Sequence, residues 1–327
     1  MRKKGLIIYF IAVVFLLAAC GNNEGTQESD ENTNESTESI TVTDAYDETT
    51  FEEVPERVVV LEWVYAEDLL ALGIQPVGMA DIENYHNWVN IELELSEDVV
   101  DVGTRQEPNL EAIAELNPDV IITAGYRHEG IMDSLEEIAP TLAFNPYPEE
   151  GQGNQFEEMK TTFNKLGTLF QKEDKATEVI NGMEETFTSV AQEISDANVE
   201  NNSFVLSQAY TSDNNPVLRL FKDNAMAVQI MEQLGLENAY ESEGFQLYGY
   251  DEASVEALQN FQDANFFYIV QEDDNIFTNQ LAGNPAWENL SFVEEGNTYG
   301  LPGDTWTYGG PLSAEVFANQ IKNALTE

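Results

Sequence analysis

The stretch that most constrains this chain runs from Val102 to Tyr126, VGTRQEPNLEAIAELNPDVIITAGY. It opens on a turn with a single arginine, Gly103-Thr104-Arg105-Gln106-Glu107-Pro108. Leu110, Ile113, Ala114 and Leu116 then fall on one side of a short amphipathic helix, and Asn109 stands where an N-cap belongs. Asn117-Pro118-Asp119 stops that helix, because the residue before a proline is steered away from helical angles. The apolar run Val120-Ile121-Ile122-Thr123 follows as a buried strand and ends in Ala124-Gly125-Tyr126. A loop, a helix and a strand therefore deliver Arg105 and Tyr126 to one region, at the strand ends where open α/β sheets bind ligands.

The same alternation of short apolar strands and helices recurs along the chain. Strands are expected at 58–61, 76–78, 120–123 and 141–144, with helices near 66–72, 110–116 and 131–138. The turn residues Asn145-Pro146-Tyr147-Pro148 and Gly151-Gln152-Gly153 break the pattern. Phe156, Met159, Phe163, Leu166 and Phe170 then keep helical spacing, and a second helix is expected over 172–194. Beyond it, strands are expected at 204–208, 217–221, 266–270 and 298–300, with helices near 225–234, 254–260 and 284–290. Gly309-Gly310-Pro311 opens a last helix to about residue 325. The expected fold is α/β, two Rossmann-like lobes joined by a single long α-helix, with the ligand cleft between the lobes. The expected boundaries are 40–153 for the first lobe, 154–171 for the connecting helix and 172–327 for the second lobe.

The first residues speak of place. Arg2-Lys3-Lys4 precedes an apolar run from Gly5 to Ala19, of signal-peptide length and short for a membrane span. Leu17-Ala18-Ala19-Cys20-Gly21 resembles the lipobox of bacterial lipoproteins, in which the cysteine is lipidated and becomes the new N-terminus. That resemblance implies a signal peptide over 1–19, lipidation of Cys20 and acyl anchoring (palmitate among the chains) on the extracytoplasmic face of a cell membrane of Gram-positive type. Residues 21–39 are almost wholly polar and acidic, so 20–39 reads as the lipidated cysteine and a disordered tether. Cys20 is the chain's one cysteine, which excludes an internal disulfide.

Charge excludes another class. Against 61 Asp and Glu stand 13 Lys and Arg, a formal charge of −48, and nucleic acid would be repelled. After Arg2 the arginines are Arg57, Arg105, Arg127 and Arg219. In so acidic a chain an arginine can simply pair with a neighbouring carboxylate, yet its planar fork also suits an oxygen-rich ligand. The histidines, His86 and His128, have no metal-ligand spacing, and Glu272-Asp273-Asp274-Asn275 reads as a solvated turn rather than a calcium loop. No protein-held metal and no cofactor are expected. Nucleophile elbow and phosphate-loop motifs are absent from the sequence, so catalysis is not expected. Aromatic residues alternate with glycines and polar residues in Phe245-Gln246-Leu247-Tyr248-Gly249-Tyr250 and in Thr305-Trp306-Thr307-Tyr308-Gly309-Gly310, a pattern that fits a pocket wall.

Taken in order, Val102-Gly103-x-Arg105-x-Glu107-Pro108-Asn109-Leu110-Glu111, Ala124-Gly125-Tyr126, Ile138-Ala139-Pro140, Tyr248-Gly249 and Trp306-x-Tyr308-Gly309-x-x-Leu312-Ser313-Ala314 resemble the helix-linked (class III) substrate-binding lipoproteins of ABC importers. The ferric-siderophore group, with its ferric-hydroxamate binders, is the most similar, over residues 55–325. The resemblance implies that Arg105 binds the iron-coordinating oxygens of a ferric siderophore, that Tyr126 hydrogen-bonds it, and that Trp306, Tyr308 and Tyr248 wall the pocket. Tyr248 stands where the hydroxamate binders carry tryptophan. Arg127-His128 after Tyr126 is a further departure, and with Arg219 it would suit a more anionic ferric complex of citrate or citrate-hydroxamate type. The family also implies docking on an ABC permease, served by its ATPase, through one acid per lobe: Glu256 in the second, Glu129 or Asp133 in the first. A monomer is expected, with the iron held by the siderophore. Ferric citrate, haem or cobalamin are alternative ligands on the same fold, haem requiring His128 or Tyr126 as an iron ligand.

Overall fold

The structure, a computed structural model, describes residues 39–199 and 201–326. The signal peptide, Cys20 and the tether as far as residue 38 lie outside the described residues. Strands β1 (Ile40–Thr43) and β2 (Glu48–Phe51) form an antiparallel hairpin that buries Ile40 and Val42 and exposes the residues between.

The first lobe is built on five parallel strands, β3 (Val58–Val60), β4 (Gly78–Met79), β5 (Val100–Asp101), β6 (Val120–Ala124) and β7 (Thr141–Phe144), in the order β5-β4-β3-β6-β7. Every residue of β3 and β6 is buried, the reason their sequences are unbroken apolar runs rather than alternating ones. From β3 the chain adds β4 and β5 on one side, then crosses back to add β6 and β7 on the other. The order therefore reverses between β3 and β6, and the crevice beyond their carboxyl ends is where such sheets hold ligands. Helices α1 (Trp63–Ala71), α2 (Ile82–Trp88), α3 (Leu110–Glu115), α4 (Gly125–His128) and α5 (Met132–Glu136) connect these strands.

Two helices carry the chain onward, α6 (Gln155–Leu169) and α7 (Glu173–Asp196). Asn154 caps α6, its side chain accepting from the Glu157 amide at 2.9 Å. Helix α6 touches the hairpin and α1 on one side and α8 (Met226–Gln233) on the other, and so crosses between the lobes. The second sheet is mixed: β8 (Ser203–Ser212), β9 (Asn215–Phe221), β10 (Glu237–Asn238), β11 (Tyr250–Ala253), β12 (Asn265–Ile269) and β13 (Thr298–Leu301). Its path is β11-β9-β8-β12-β13, with β10 pairing the start of β8; β8, β9 and β11 run antiparallel in turn. Asp213 and Asn214, at φ +49° and +62°, make the tight β8–β9 turn. The helix expected over 254–260 is a 3-10 segment, Val255–Asn260, and the one near 284–290 is two short pieces, α9 (Pro285–Glu288) and α10 (Ser291–Glu294).

Helix α11 (Pro311–Thr326) begins with proline at its first position, as the sequence requires, and lies along α7. Its start is latched to the first lobe. Glu67, wholly buried on α1, accepts from the Ser313 amide at 2.7 Å and from the Ser313 hydroxyl at 2.6 Å. A carboxylate at that end meets free amides and the positive pole of the helix. Asp68 beside it is equally buried, and its Oδ1 has no hydrogen-bond partner. Burial pushes both acids above the ordinary carboxyl range, Asp68 strongly, with Glu67 adding to the shift.

Candidate functional site

Four connections from the first sheet meet at the crevice. Glu62 and Trp63 lie between β3 and α1. Asp81 follows β4, at φ +65°. The arginine turn follows β5, and α4 follows β6. The turn is closed by a bridge between Gly103 and Pro108. Gly103 sits at φ +98°, and a Cβ there would come within 3.0 Å of the Glu107 carbonyl. Asn109 caps α3 as the sequence leads one to expect, accepting from the Glu111 and Ala112 amides at 3.1 Å.

Arg105 is thereby laid flat on Trp63, its guanidinium carbon 3.4 Å from the ring centroid and 5.9 Å from that of Trp306. Its Nη1 is 3.5 Å from Glu62 Oε2 and its Nε 3.7 Å from Asp81 Oδ2. The Nε of Arg127 donates to the other Glu62 oxygen, and its Nη2 to the Tyr126 hydroxyl at 2.7 Å. Glu62 is only 6% exposed. Burial pushes its carboxyl upward, while Arg127 and then Arg105 pull it down, and the net direction is up. Burial and the Glu62 charge push the Tyr126 hydroxyl up to about 12, so it remains an O–H donor.

His128 departs from expectation. It is 1% exposed and lies beneath the arginine turn, outside the cleft. Its Nε2 donates to the Arg105 carbonyl at 2.8 Å, and its Nδ1 accepts from the Thr123 hydroxyl at 2.5 Å. Burial lowers its pKa against the pull of the Arg105 carbonyl, which keeps the ring neutral. Both ring nitrogens are engaged, so His128 supports Arg105 and offers no lone pair to a haem iron. The cause is local: the short α4 turns His128 back onto Thr123 of its own strand.

The second lobe supplies the facing wall. Arg219 on β9 lies opposite Gln208 of β8 and donates to its amide oxygen at 3.1 Å. The guanidinium carbon is 4.7 Å from the ring centroids of both Tyr210 and Tyr250, and its Nε is 3.9 Å from Glu252. Trp306 and Tyr308 follow β13. Trp306 meets Trp63 edge-on across the lobes at 5.2 Å and Tyr308 at 5.6 Å. Tyr248, 43% exposed, approaches Tyr126 at 6.2 Å and Tyr147 at 5.1 Å, while Tyr147 reaches Tyr308 at 6.0 Å.

Arg105, Arg219, Trp306 and Tyr308 line one cavity of about 370 Å³, together with Trp63, Trp88, Asp81 and Gln208. It shares Trp88, Gln208 and Arg219 with an adjoining space of about 980 Å³ that reaches Glu272–Asp274. Tyr126, Arg127 and Tyr248 are not among its lining residues; they stand at its flank, joined through Glu62 and the tyrosine cluster. Several donors on the lining residues have no hydrogen-bond partner among the described residues: the Nε of Arg105 and of Arg219, the Trp306 indole N–H and the Tyr308 hydroxyl. Buried donors ordinarily find acceptors, so a site with this set suits a ligand rich in oxygen atoms. Of the docking candidates, Glu256 is exposed on the 3-10 segment, and Glu129 and Asp133 are exposed beyond α4.

A family model described as periplasmic binding protein matches residues 58–305, which is most of the chain and includes Arg105 and Arg219. The chain belongs to the periplasmic binding protein family. It is 31% identical over 301 residues to the Fe(3+)-citrate-binding protein YfmC of Bacillus subtilis, covering 92% of this chain and 89% of that protein. It is 31% identical over 273 residues to the iron(3+)-hydroxamate-binding protein FhuD of Escherichia coli, covering 83% and 87%. The crystal structure of the Fe3+-Desferal-bound siderophore-binding protein FhuD from Vibrio cholerae superposes with a TM-score of 0.74 at 29% identity, over 83% of this chain and 98% of that one. The two-lobed α/β fold is thus that of ferric-siderophore-binding proteins.

In this periplasmic binding protein the sequence reading missed Glu62, Trp63, Asp81, Trp88, Tyr147 and Gln208. A usable signal existed for some. Glu62-Trp63 directly follows an apolar strand, the position that drew attention to Tyr126. Trp88 stands with Tyr85 in the otherwise largely polar run Asn84–Asn90.

Proposed function

We propose that this protein is an extracytoplasmic, lipid-anchored binding protein that captures a ferric siderophore of hydroxamate or citrate-hydroxamate type and hands it to an ABC permease for iron uptake. The observation that carries the reading is the meeting of Arg105 and Arg219, from opposite sheets, in one cavity walled by Trp63, Trp88, Trp306 and Tyr308. In this reading iron is cargo, coordinated by the siderophore. Arg105 and Arg219 donate charge-assisted hydrogen bonds to the ligand's oxygens, and the aromatic walls cover its apolar linkers. Tyr126 adds a hydroxyl from the flank. No step of chemistry is required, only capture and release.

Ferric citrate is a second reading, favoured by the similarity to YfmC. Delivery would use Glu256 with Glu129 or Asp133, exposed acids on the two lobes that can meet basic residues of a permease. The lipid anchor rests on Cys20 and its flanking residues. Three of the four tryptophans line the cavity, so fluorescence quenching tests the reading directly. Saturable quenching by a ferric siderophore, weakened at least tenfold in Arg105→Ala, is expected. Quenching by haem or cobalamin and by no ferric complex would overturn the ligand assignment.

A further inference from the structure

Opposite the charge of any ligand stands the charge of the cleft itself. Arg105 and Arg127, on separate connections of the first sheet, converge on one carboxylate. Glu62 Oε2 faces Arg105 Nη1 at 3.5 Å, and Oε1 accepts from Arg127 Nε. Asp81 adds a second acid 3.7 Å from Arg105 Nε. Two guanidinium groups and two carboxylates make this wall formally neutral, although its exposed chemistry looks basic. Glu62 is not among the lining residues; it is buried against Arg105, which does line the cavity, and against Arg127. It is therefore placed to alter their field without obstructing the ligand. The Arg105 guanidinium also has a contact independent of that carboxylate, stacking on Trp63 at 3.4 Å.

From this arrangement we infer that Glu62 sets the charge preference of the cleft, tilting it toward ferric complexes of low net charge and away from strongly anionic ones. The inference rests on the ferric-siderophore reading above and names a specificity-determining residue within it. The physical basis is a difference of affinities. A neutral ferric trihydroxamate meets the same donors with or without the Glu62 charge. A multiply anionic complex such as ferric dicitrate meets a neutral wall in the native protein and a cationic wall once that charge is removed. Electrostatic interactions of this kind are strong where the groups are screened from water, as Glu62 is.

The test is a fluorescence titration of the full-length protein in mild detergent, with a neutral ferric trihydroxamate and with ferric dicitrate, on the native protein and on Glu62→Gln. Glutamine keeps the shape and one of the two acceptor oxygens while removing the charge. The readout is the ratio of the two affinities, which a general loosening of the site would not move in one direction. The variant should shift that ratio at least tenfold toward ferric dicitrate. A ratio unchanged within twofold, with both ligands still bound, overturns the inference and leaves the siderophore reading standing. No quenching by either complex in the native protein overturns both. Should Glu62→Gln fail to give a folded circular-dichroism spectrum, Asp81→Asn carries the same prediction at about threefold, and an unchanged ratio there overturns it equally.

Discussion

The two walls of the cleft hold their arginines by different means. In the first lobe, Arg105 and Arg127 share Glu62, a carboxylate with 7% of its side chain exposed, on a parallel sheet buried on both faces. In the second, Arg219 lies between two tyrosine rings on an antiparallel strand pair. Its acid, Glu252, is 57% exposed and 3.9 Å away. The first arrangement is set by charge withdrawn from water, where removing one partner strands the other. The second is set by packing, with an acid that salt can screen. The first wall is the more rigid and the more costly to disturb, and the second is the more adjustable.

That contrast can be broken by mutation. The largest expected effect is on stability: Arg127→Ala should lower unfolding free energy in urea by about 3 kcal/mol, because Glu62 loses its nearer partner. Adding Glu62→Gln to that variant should recover most of the loss, and a simple sum of two losses would count against the shared-carboxylate account. Next, Arg105→Ala should weaken ferric-siderophore binding by about 2 kcal/mol in a quenching titration, the range of a charged hydrogen bond. Arg219→Ala should cost about 1 kcal/mol or less, since its stacking surface remains for the ligand. Between 0.05 and 0.5 M salt, roughly spanning weak to strong screening, the contribution of Arg219 should shrink more than that of Arg105.

A third carboxyl site sharpens the comparison by having no cationic partner among the described residues. Asp68 has a folded pKa raised well above its ordinary value by burial and by Glu67. The unfolded carboxyl loses its proton near the ordinary value and the folded one only at higher pH. In that window the folded state binds more protons, so stability falls as pH rises and returns on acidification. Asp68→Asn should therefore raise the urea midpoint at pH 7, by about 1 kcal/mol of stability, and by less near pH 5. A larger gain at pH 5 than at pH 7 would contradict the assignment.

Much of the fold was legible because its signals are local. Fully buried parallel strands write themselves as apolar runs, as at Val120–Ala124, and caps such as Asn109 and Asn154 mark helix starts. The two-residue strands β5 and β10 are too short to carry a pattern, while β4 lies at the end of the strand expected over 76–78. Within the site, Arg105 was legible from its turn, and Arg219 from its strand. Glu62 was harder to read: its place just after an apolar strand marks it, but it is one acid among 61 and its burial is decided by Arg105 and Arg127 from other connections. His128 was misplaced for a related reason. A basic pair after Tyr126 reads as ligand chemistry, but four residues of helix rotate one member outward and the other onto Thr123.

The latch between Glu67 and Ser313 joins residues 246 positions apart. The loop bearing Trp306 and Tyr308 runs directly into that latched helix, and Trp306 packs on Trp63 of the first lobe. A chain still emerging from a ribosome therefore carries Arg105 and its turn before it carries the aromatic residues Trp306 and Tyr308 of the same cavity. The cavity's wall thus stays unfinished until residues from both ends of the described chain have met.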